Sequence, residues 1–168
     1  FFLYQLRAGL VGMWLWFTDG HLLPYTGKQK VHAGYSTQRR MPIAGRTNLV
    51  TCDSSGRIVD FEIQEGKGDL RGYILNLNKR WQDELIEAPV HVFDREGYAS
   101  DFFHSLHKQQ VFFVTWEKYV DTHKLEALAD EMFTDVFEFN DKTYRIFEGE
   151  KTFTHRLEDD REQQFTLR

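Results

Sequence analysis

Two aspartates, Asp19 and Asp94, each close an apolar run, Gly12-Met13-Trp14-Leu15-Trp16-Phe17 and Val90-His91-Val92-Phe93. Both runs have the density of buried strands. Carboxylates presented at strand ends are ligands that hard divalent ions accept, so the pair points to metal-assisted chemistry. An aspartate after an apolar strand is also an ordinary turn former or helix cap.

The charge distribution supplies a substrate class. No acidic residue occurs between Asp19 and Asp53, whereas Lys28, Lys30, Arg39, Arg40 and Arg46 all fall there. Acidic residues crowd the stretch from Glu117 onward. A polyanion would therefore meet the protein through the basic window. Lys28, Lys30, Arg39 and Arg40 suit phosphates, which position nucleic acid without reading its sequence. Tyr25, His32 and Tyr35 lie among them and could stack on unpaired bases or simply pack locally. His21 beside Asp19 is a phosphate contact, an outer partner of the acid, or a plain surface histidine.

The bulk properties permit this reading. The chain has 168 residues and 20.0 kDa, enough for one well-buried domain with a small appendage. Its formal net charge of -5 excludes a uniformly basic nucleic-acid binder. Cys52 is the single cysteine, which rules out an intrachain disulfide and a cysteine zinc site and favours a reducing compartment. The apolar openings at 1–4 and 12–17 are interrupted by Gln5 and Arg7 before a membrane-spanning length, and are read as core strand. With no initiating methionine and no polar tail, both ends are expected to be cut from a longer protein.

The elements that must position the acids alternate in type. A strand over 12–18 feeds a turn at Asp19-Gly20, and residues 21 to 45, with three glycines and two prolines, form a long loop or a loop with a short strand. Thr47 to Cys52 and Arg57 to Gln64 form a hairpin around Asp53-Ser54-Ser55-Gly56. From Asp69 to Leu85 the spacing of Leu70, Tyr73, Ile74, Leu77, Trp81 and Leu85 predicts a helix capped by Asp69. Pro89 precedes the strand that delivers Asp94. A helix over Ala99 to Lys108 turns Phe102, Phe103 and Leu106 inward, and Val111 to Trp116 is a further strand. Trp14 and Trp16 are both read as core. The result is an α/β domain over 1–118. Residues 119–168 form a β-rich subdomain, with a helix over Leu125 to Phe133, a hairpin around Asn140-Asp141-Lys142 and a strand at Thr152 to Leu157.

In order, Asp19-Gly20-His21, Pro24-Tyr25, Gly27-Lys28, Lys30, Gly34-Tyr35, Thr37-Gln38-Arg39-Arg40 and Val92-Phe93-Asp94-Arg95-Glu96-Gly97-Tyr98 resemble the DDE-type transposases of bacterial insertion sequences. The likeness runs from roughly residue 12 to 116. It implies a ribonuclease H-like mixed sheet flanked by helices, with the first acid on the first strand and the second just after the fourth. The β-rich C-terminal segment would be an insertion before a third acid, usually a helical glutamate. Glu162 is the nearest candidate, but its neighbours read as linker or strand, so the third acid is expected beyond Arg168 and this chain alone to be catalytically incomplete.

The resemblance implies two Mg²⁺ or Mn²⁺ ions, with Asp19 bridging both and Asp94 holding one. Such ions, about 3.5 to 4 Å apart, activate a water or 3′-hydroxyl and stabilise the leaving oxygen of an in-line phosphodiester displacement. Lys28, Lys30, His32, Tyr35, Arg39, Arg40 and Arg95 would contact DNA, Arg95 alternatively pairing with Glu96. The expected partners are transposon ends and target DNA, with a homodimer in the active complex, no membrane, and a cytoplasmic, nucleoid-associated location in bacteria. A ribonuclease H-like nuclease would use the same acids, and a decayed fragment would only bind DNA.

Overall fold

The computed structural model describes residues 2–36, 39–84, 88–157 and 160–167. Two compact units divide the chain, Phe1–Trp116 and Glu117–Arg168.

In the first unit, α1 (Phe2–Arg7) is followed by β1 (Leu15–Pro24), β2 (Ala33–Ser36), β3 (Met41–Asp53) and β4 (Ile58–Glu65). Then come α2 (Leu70–Trp81), β5 (Val90–Phe93), a 3₁₀ turn at Arg95–Gly97, α3 (Ser100–Lys108) and β6 (Phe113–Thr115). The six strands make one mixed sheet of order β2-β3-β1-β5-β6, with β4 also on β3. β1 is antiparallel to β3 and parallel to β5, which is parallel to β6. The unit is a mixed α/β structure with helices beside the sheet and no closed barrel.

Alternation divides the sheet into two faces. Trp16, Thr18, Leu49, Thr51, His91 and Phe93 are buried on one of them. There α2 places Tyr73, Ile74 and Leu77, and α3 places Phe102, Phe103 and Leu106. Phe103 stacks on Phe113 at 4.7 Å between ring centroids, and Phe93 on Phe113 at 5.7 Å. The buried threonines on this face are paired: Thr51 Oγ1 lies 2.9 Å from Thr18 Oγ1 and donates to Tyr73 Oη at 3.2 Å, whereas the buried His91 Nδ1 has no hydrogen-bond partner among the described residues. Asp69 caps α2, its carboxylate accepting from the Gly72 amide at 3.0 Å. The opposite face stays open, with Phe17, Ile58, Phe61, Ile63 and Val114 between 43 and 56 % exposed.

Several expectations are corrected. β1 does not turn at Asp19-Gly20 but runs on to Pro24, because β3 is long enough to pair with it as far as Gly45. Gly20 serves close packing instead, since a Cβ there would meet Leu49 Cδ2 at 3.1 Å. The loop expected over 21–45 shrinks to 25–32 plus the turn before Met41. The opening apolar residues form α1 rather than a strand, with Leu6 buried. Trp14 is 67 % exposed and outside the core, whereas Trp16 is fully buried. The last strand of the unit covers only Phe113–Thr115. α2 closes at Trp81, and Leu85 lies outside the described residues.

The second unit holds α4 (Thr122–Glu126), a 3₁₀ turn at Asp130–Met132, and two hairpins. These are β7 (Phe133–Phe139) with β8 (Lys142–Phe147), and β9 (Lys151–Arg156) with β10 (Glu162–Leu167). The helix expected over Leu125 to Phe133 is replaced by α4 and the 3₁₀ turn; none of α4 is buried, so packing cannot prolong it. Asn140 and Asp141 both adopt positive φ, 49° and 59°, between β7 and β8. Phe137 stacks on Tyr144 at 5.3 Å, and Phe153 on Phe165 at 5.7 Å. Glu162 opens strand β10 and is exposed, so it stands on no helix. Among the described residues, no helix is long and apolar enough to cross a membrane.

Candidate active site

The acids are brought together by strand register. Thr18 pairs with Phe93 across the parallel β1–β5 ladder; Asp19 is the next residue on β1 and Asp94 the first residue after β5. Asp94 remains extended, with φ -75° and ψ 176°. Thr18 and Phe93 are buried on the helix side, so the alternation of strand residues sends both aspartates to the open face. Neighbouring strands lie about 4.8 Å apart, a separation that one shared cation can span.

The same rule orders the neighbours on that face. Asp19 opposes Val50, which opposes Phe61; Asp94 lies level with Trp116, one residue past the Phe93–Thr115 pair. A transverse row therefore runs Trp116, Asp94, Asp19, Val50, Phe61. The row behind it, Val114, Val92, Phe17, Cys52 and Ile58, is apolar throughout. The carboxylates thus stand at the border of an apolar strip, where a bound ion would meet less competing water. Trp116, one residue past the end of β6, is 76 % exposed. Sequence reading placed Trp116 only as the end of a strand; the signal available was the alternation Phe113, Val114, Thr115, Trp116.

Each acid is half committed. Asp19 Oδ1 accepts from the Gly20 amide at 2.8 Å, and Asp94 Oδ1 from the Glu96 amide at 2.7 Å. The second bond caps the 3₁₀ turn, so the helix-cap role open in the sequence is realised for Asp94. Thr115 Oγ1 donates to the Asp94 carbonyl at 3.0 Å and ties β6 to this corner. The Oδ2 atoms of both acids accept no hydrogen bond among the described residues. A pair of carboxylates with two unused oxygens fits the edge of a hydrated divalent ion. Among the described residues no group of three or more His, Cys, Asp or Glu side chains is placed to hold a metal.

The basic residues are not gathered at the acids. Lys28 and Lys30 occupy the loop that leaves β1 at Pro24, five residues beyond Asp19, and His32 sits just before β2. Tyr35 is on β2 and 58 % exposed. Arg39 and Arg40 lie in the turn between β2 and β3, where the Arg39 amide donates to Ser36 Oγ at 3.3 Å and Arg40 has φ 52°. Thr37 and Gln38 of that motif lie outside the described residues. Arg46 pairs with Glu65 at 3.8 Å. Arg95 is exposed next to Asp94 and forms no ion pair with Glu96 among the described residues. His21 shares the open face with Asp19, two residues along β1.

Behind the site the sheet is braced by two buried titratable groups. His91 is fully buried, its Nε2 lies 3.0 Å from Asn78 Oδ1, and Asn78 Nδ2 donates to the Ile74 carbonyl at 3.0 Å. Burial pushes the imidazole pKa down to about 4, so the ring is neutral and donates through Nε2. Asp60 is buried at the other edge and paired with Arg80; burial raises its carboxyl above the usual range despite that cation.

No family model and no curated protein matches the chain. Among solved structures it is similar to a chain in the cryo-EM structure of the simian T-cell lymphotropic virus intasome in complex with PP2A regulatory subunit B56 gamma. The similarity has 12 % identity and a TM-score of 0.38, and covers 74 % of this chain and 41 % of that one.

Proposed function

We propose that the first unit is the catalytic domain of a DNA transposase with a ribonuclease H-like fold, which cleaves and joins phosphodiesters at transposon ends. The observation that carries the reading is the register that places Asp19 and Asp94 at one level on the open face of adjacent parallel strands. The sequence resemblance expects one acid on the first strand and the other just after the fourth; Asp94 follows β5, the fifth strand in chain order, because the short β2 adds a strand before it. Asp19 and Asp94 would hold Mg²⁺ or Mn²⁺ through their unused oxygens, with water and phosphate oxygens completing the hard-oxygen shell. Bound there, the ions would supply Lewis-acid stabilisation of phosphoryl transfer. The chain's own part is to fix the carboxylates on rigid strands, keep the apolar strip beside them, and offer cations for the DNA backbone.

Metal binding tests the reading directly. Titration with Mn²⁺ should show binding to the 168-residue chain that Asp19→Asn and Asp94→Asn each weaken, with unchanged circular dichroism. Equal Mn²⁺ affinity in all three proteins would sink it. Tested with a form that also supplies the expected third acid, joining of a 3′-hydroxyl end to a second DNA separates a transposase from a nuclease on the same fold, which would cleave without joining.

The commitment of Asp94 Oδ1 to the Glu96 amide favours a second reading, a domain that binds DNA without catalysis. In that case neither aspartate substitution changes metal or DNA affinity.

A further inference from the structure

β3 is longer than the sheet that contains it. Its last pairing with β1 is Gly45 with Pro24, the Ala44 carbonyl still accepts from the Tyr25 amide at 2.9 Å, and from Ile43 to Met41 the strand pairs only with β2. The two strands form an arm that projects past the end of β1 and carries Arg39 and Arg40 in its turn. The root of the arm is closely packed. The Gly45 amide donates to the His32 carbonyl at 3.1 Å, the Gly66 amide donates to the Gly45 carbonyl at 2.9 Å, and a Cβ on Gly34 would meet the Gly66 carbonyl carbon at 2.9 Å. Its aim is therefore set by backbone contact rather than by a flexible linker.

The distal part does nothing visible for stability. Tyr35 and Met41 are 58 and 51 % exposed, and Arg39, Arg40, Lys28 and Lys30 form no ion pair among the described residues. Asp19 opposes Val50, nine residues from Met41 along β3. At about 3.3 Å per residue this places the turn up to roughly 30 Å from the acid pair. Lys28 and Lys30 leave the sheet at Pro24, about 17 Å from Asp19 by the same measure. Duplex DNA advances about 3.4 Å per base pair, so 30 Å is roughly nine base pairs.

We infer that the arm grips the phosphates of a DNA duplex roughly nine base pairs from the bond held at Asp19 and Asp94, and that a duplex flank of this length is part of the substrate. The inference rests on the proposed role of the acid pair. Lys28 and Lys30 contact the nearer flank and Arg39 and Arg40 the farther one; guanidinium forks match phosphate oxygens, and no carboxylate in the arm competes with them.

The test is duplex binding by the full chain in Ca²⁺, a hard ion that can occupy the acid pair but is a poorer Lewis acid than Mg²⁺, using blunt DNA trimmed in steps from about 20 to 5 base pairs. Wild-type affinity should fall once the duplex can no longer reach the turn. Arg39→Ala with Arg40→Ala should bind long and trimmed duplexes equally, with a salt slope shallower by about two. Arg39→Lys with Arg40→Lys should restore most of that slope, which misfolding would not allow. Identical affinities and slopes for wild type and the alanine variant on every duplex overturn the arm's role, while the Mn²⁺ titration still judges the acid pair. Absence of any duplex binding by wild type overturns both the arm's role and the DNA reading.

Discussion

The amide of Gly12 donates to Asp53 Oδ2 at 2.7 Å, joining the segment that enters β1 to the turn between β3 and β4. Asp53 Oδ1 accepts from the amides of Ser55 and Arg57 and from the Ser55 hydroxyl. Burial alone would raise this carboxyl, but the amide of Gly12, the Ser55 hydroxyl and the remaining amides outweigh it and bring it to about 2. A group depressed in the folded state gives stability above its unfolded pKa, near 3.9, that is lost as pH falls toward 2. Asp53→Asn turns an amide NH₂ toward the Gly12 donor and should cost about 1 to 3 kcal/mol at neutral pH. It should also flatten the acid limb of stability between pH 4 and 2, as read by urea titration at each pH.

His91 acts in a higher window. Its folded pKa of about 4 lies below the usual 6.5, so the unfolded chain binds the proton first as pH falls. Stability present above pH 6.5 is lost between 6.5 and 4, at most by roughly 3 kcal/mol. His91→Gln cannot titrate and should remove this slope while lowering stability at pH 7. A wild-type chain equally stable at pH 7 and pH 4.5 would contradict the assignment.

Asp94 serves two purposes that substitutions can separate. Asn at this position keeps an oxygen for the Glu96 amide, whereas alanine loses both the cap and the ligand. Mn²⁺ affinity should fall in both variants, but thermal stability should fall by about 1 kcal/mol only in Asp94→Ala.

The turn between β7 and β8 carries two side chains in left-handed backbone, Asn140 and Asp141. Such a turn favours glycine at its second position, and a non-glycine residue there is strained. Asp141→Gly should slow amide hydrogen exchange across the β7–β8 ladder, with a gain of roughly 1 kcal/mol in that hairpin. Unchanged exchange would show that the turn does not limit its stability.

The elements with an unambiguous period were legible in the sequence. Leu70, Tyr73, Ile74 and Leu77 marked α2, Asp69 its cap, and Phe102, Phe103 and Leu106 the buried side of α3. The length of β1 was not legible, because Asp19-Gly20 has the composition of a turn and only the facing Leu49 reveals why glycine stands there. The strand β10 was legible only as linker or strand, because its start, Glu162-Gln163-Gln164, is polar and its pairing with β9 is announced by no local period. For the acid pair, the sequence indicated two strand-borne carboxylates but not their shared level, which depends on how two segments about 75 residues apart align. The arm escaped notice for the same reason: its reach depends on which part of β3 outlasts β1.

The spacing of Asp19 and Asp94 is set by backbone hydrogen bonds between adjacent strands, not by the chain that connects them. The loops between Pro24 and Pro89 can lengthen, shorten or be exchanged without moving one carboxylate relative to the other, provided the ladder forms. Tolerance ends abruptly at the ladder itself. A slip of one residue in β5 would turn Asp94 toward α2 and α3 and bury a charge beneath the helices. Insertions in this protein should therefore be absorbed by its loops, whereas a single inserted residue in Val90–Phe93 should abolish the site and destabilise the fold together.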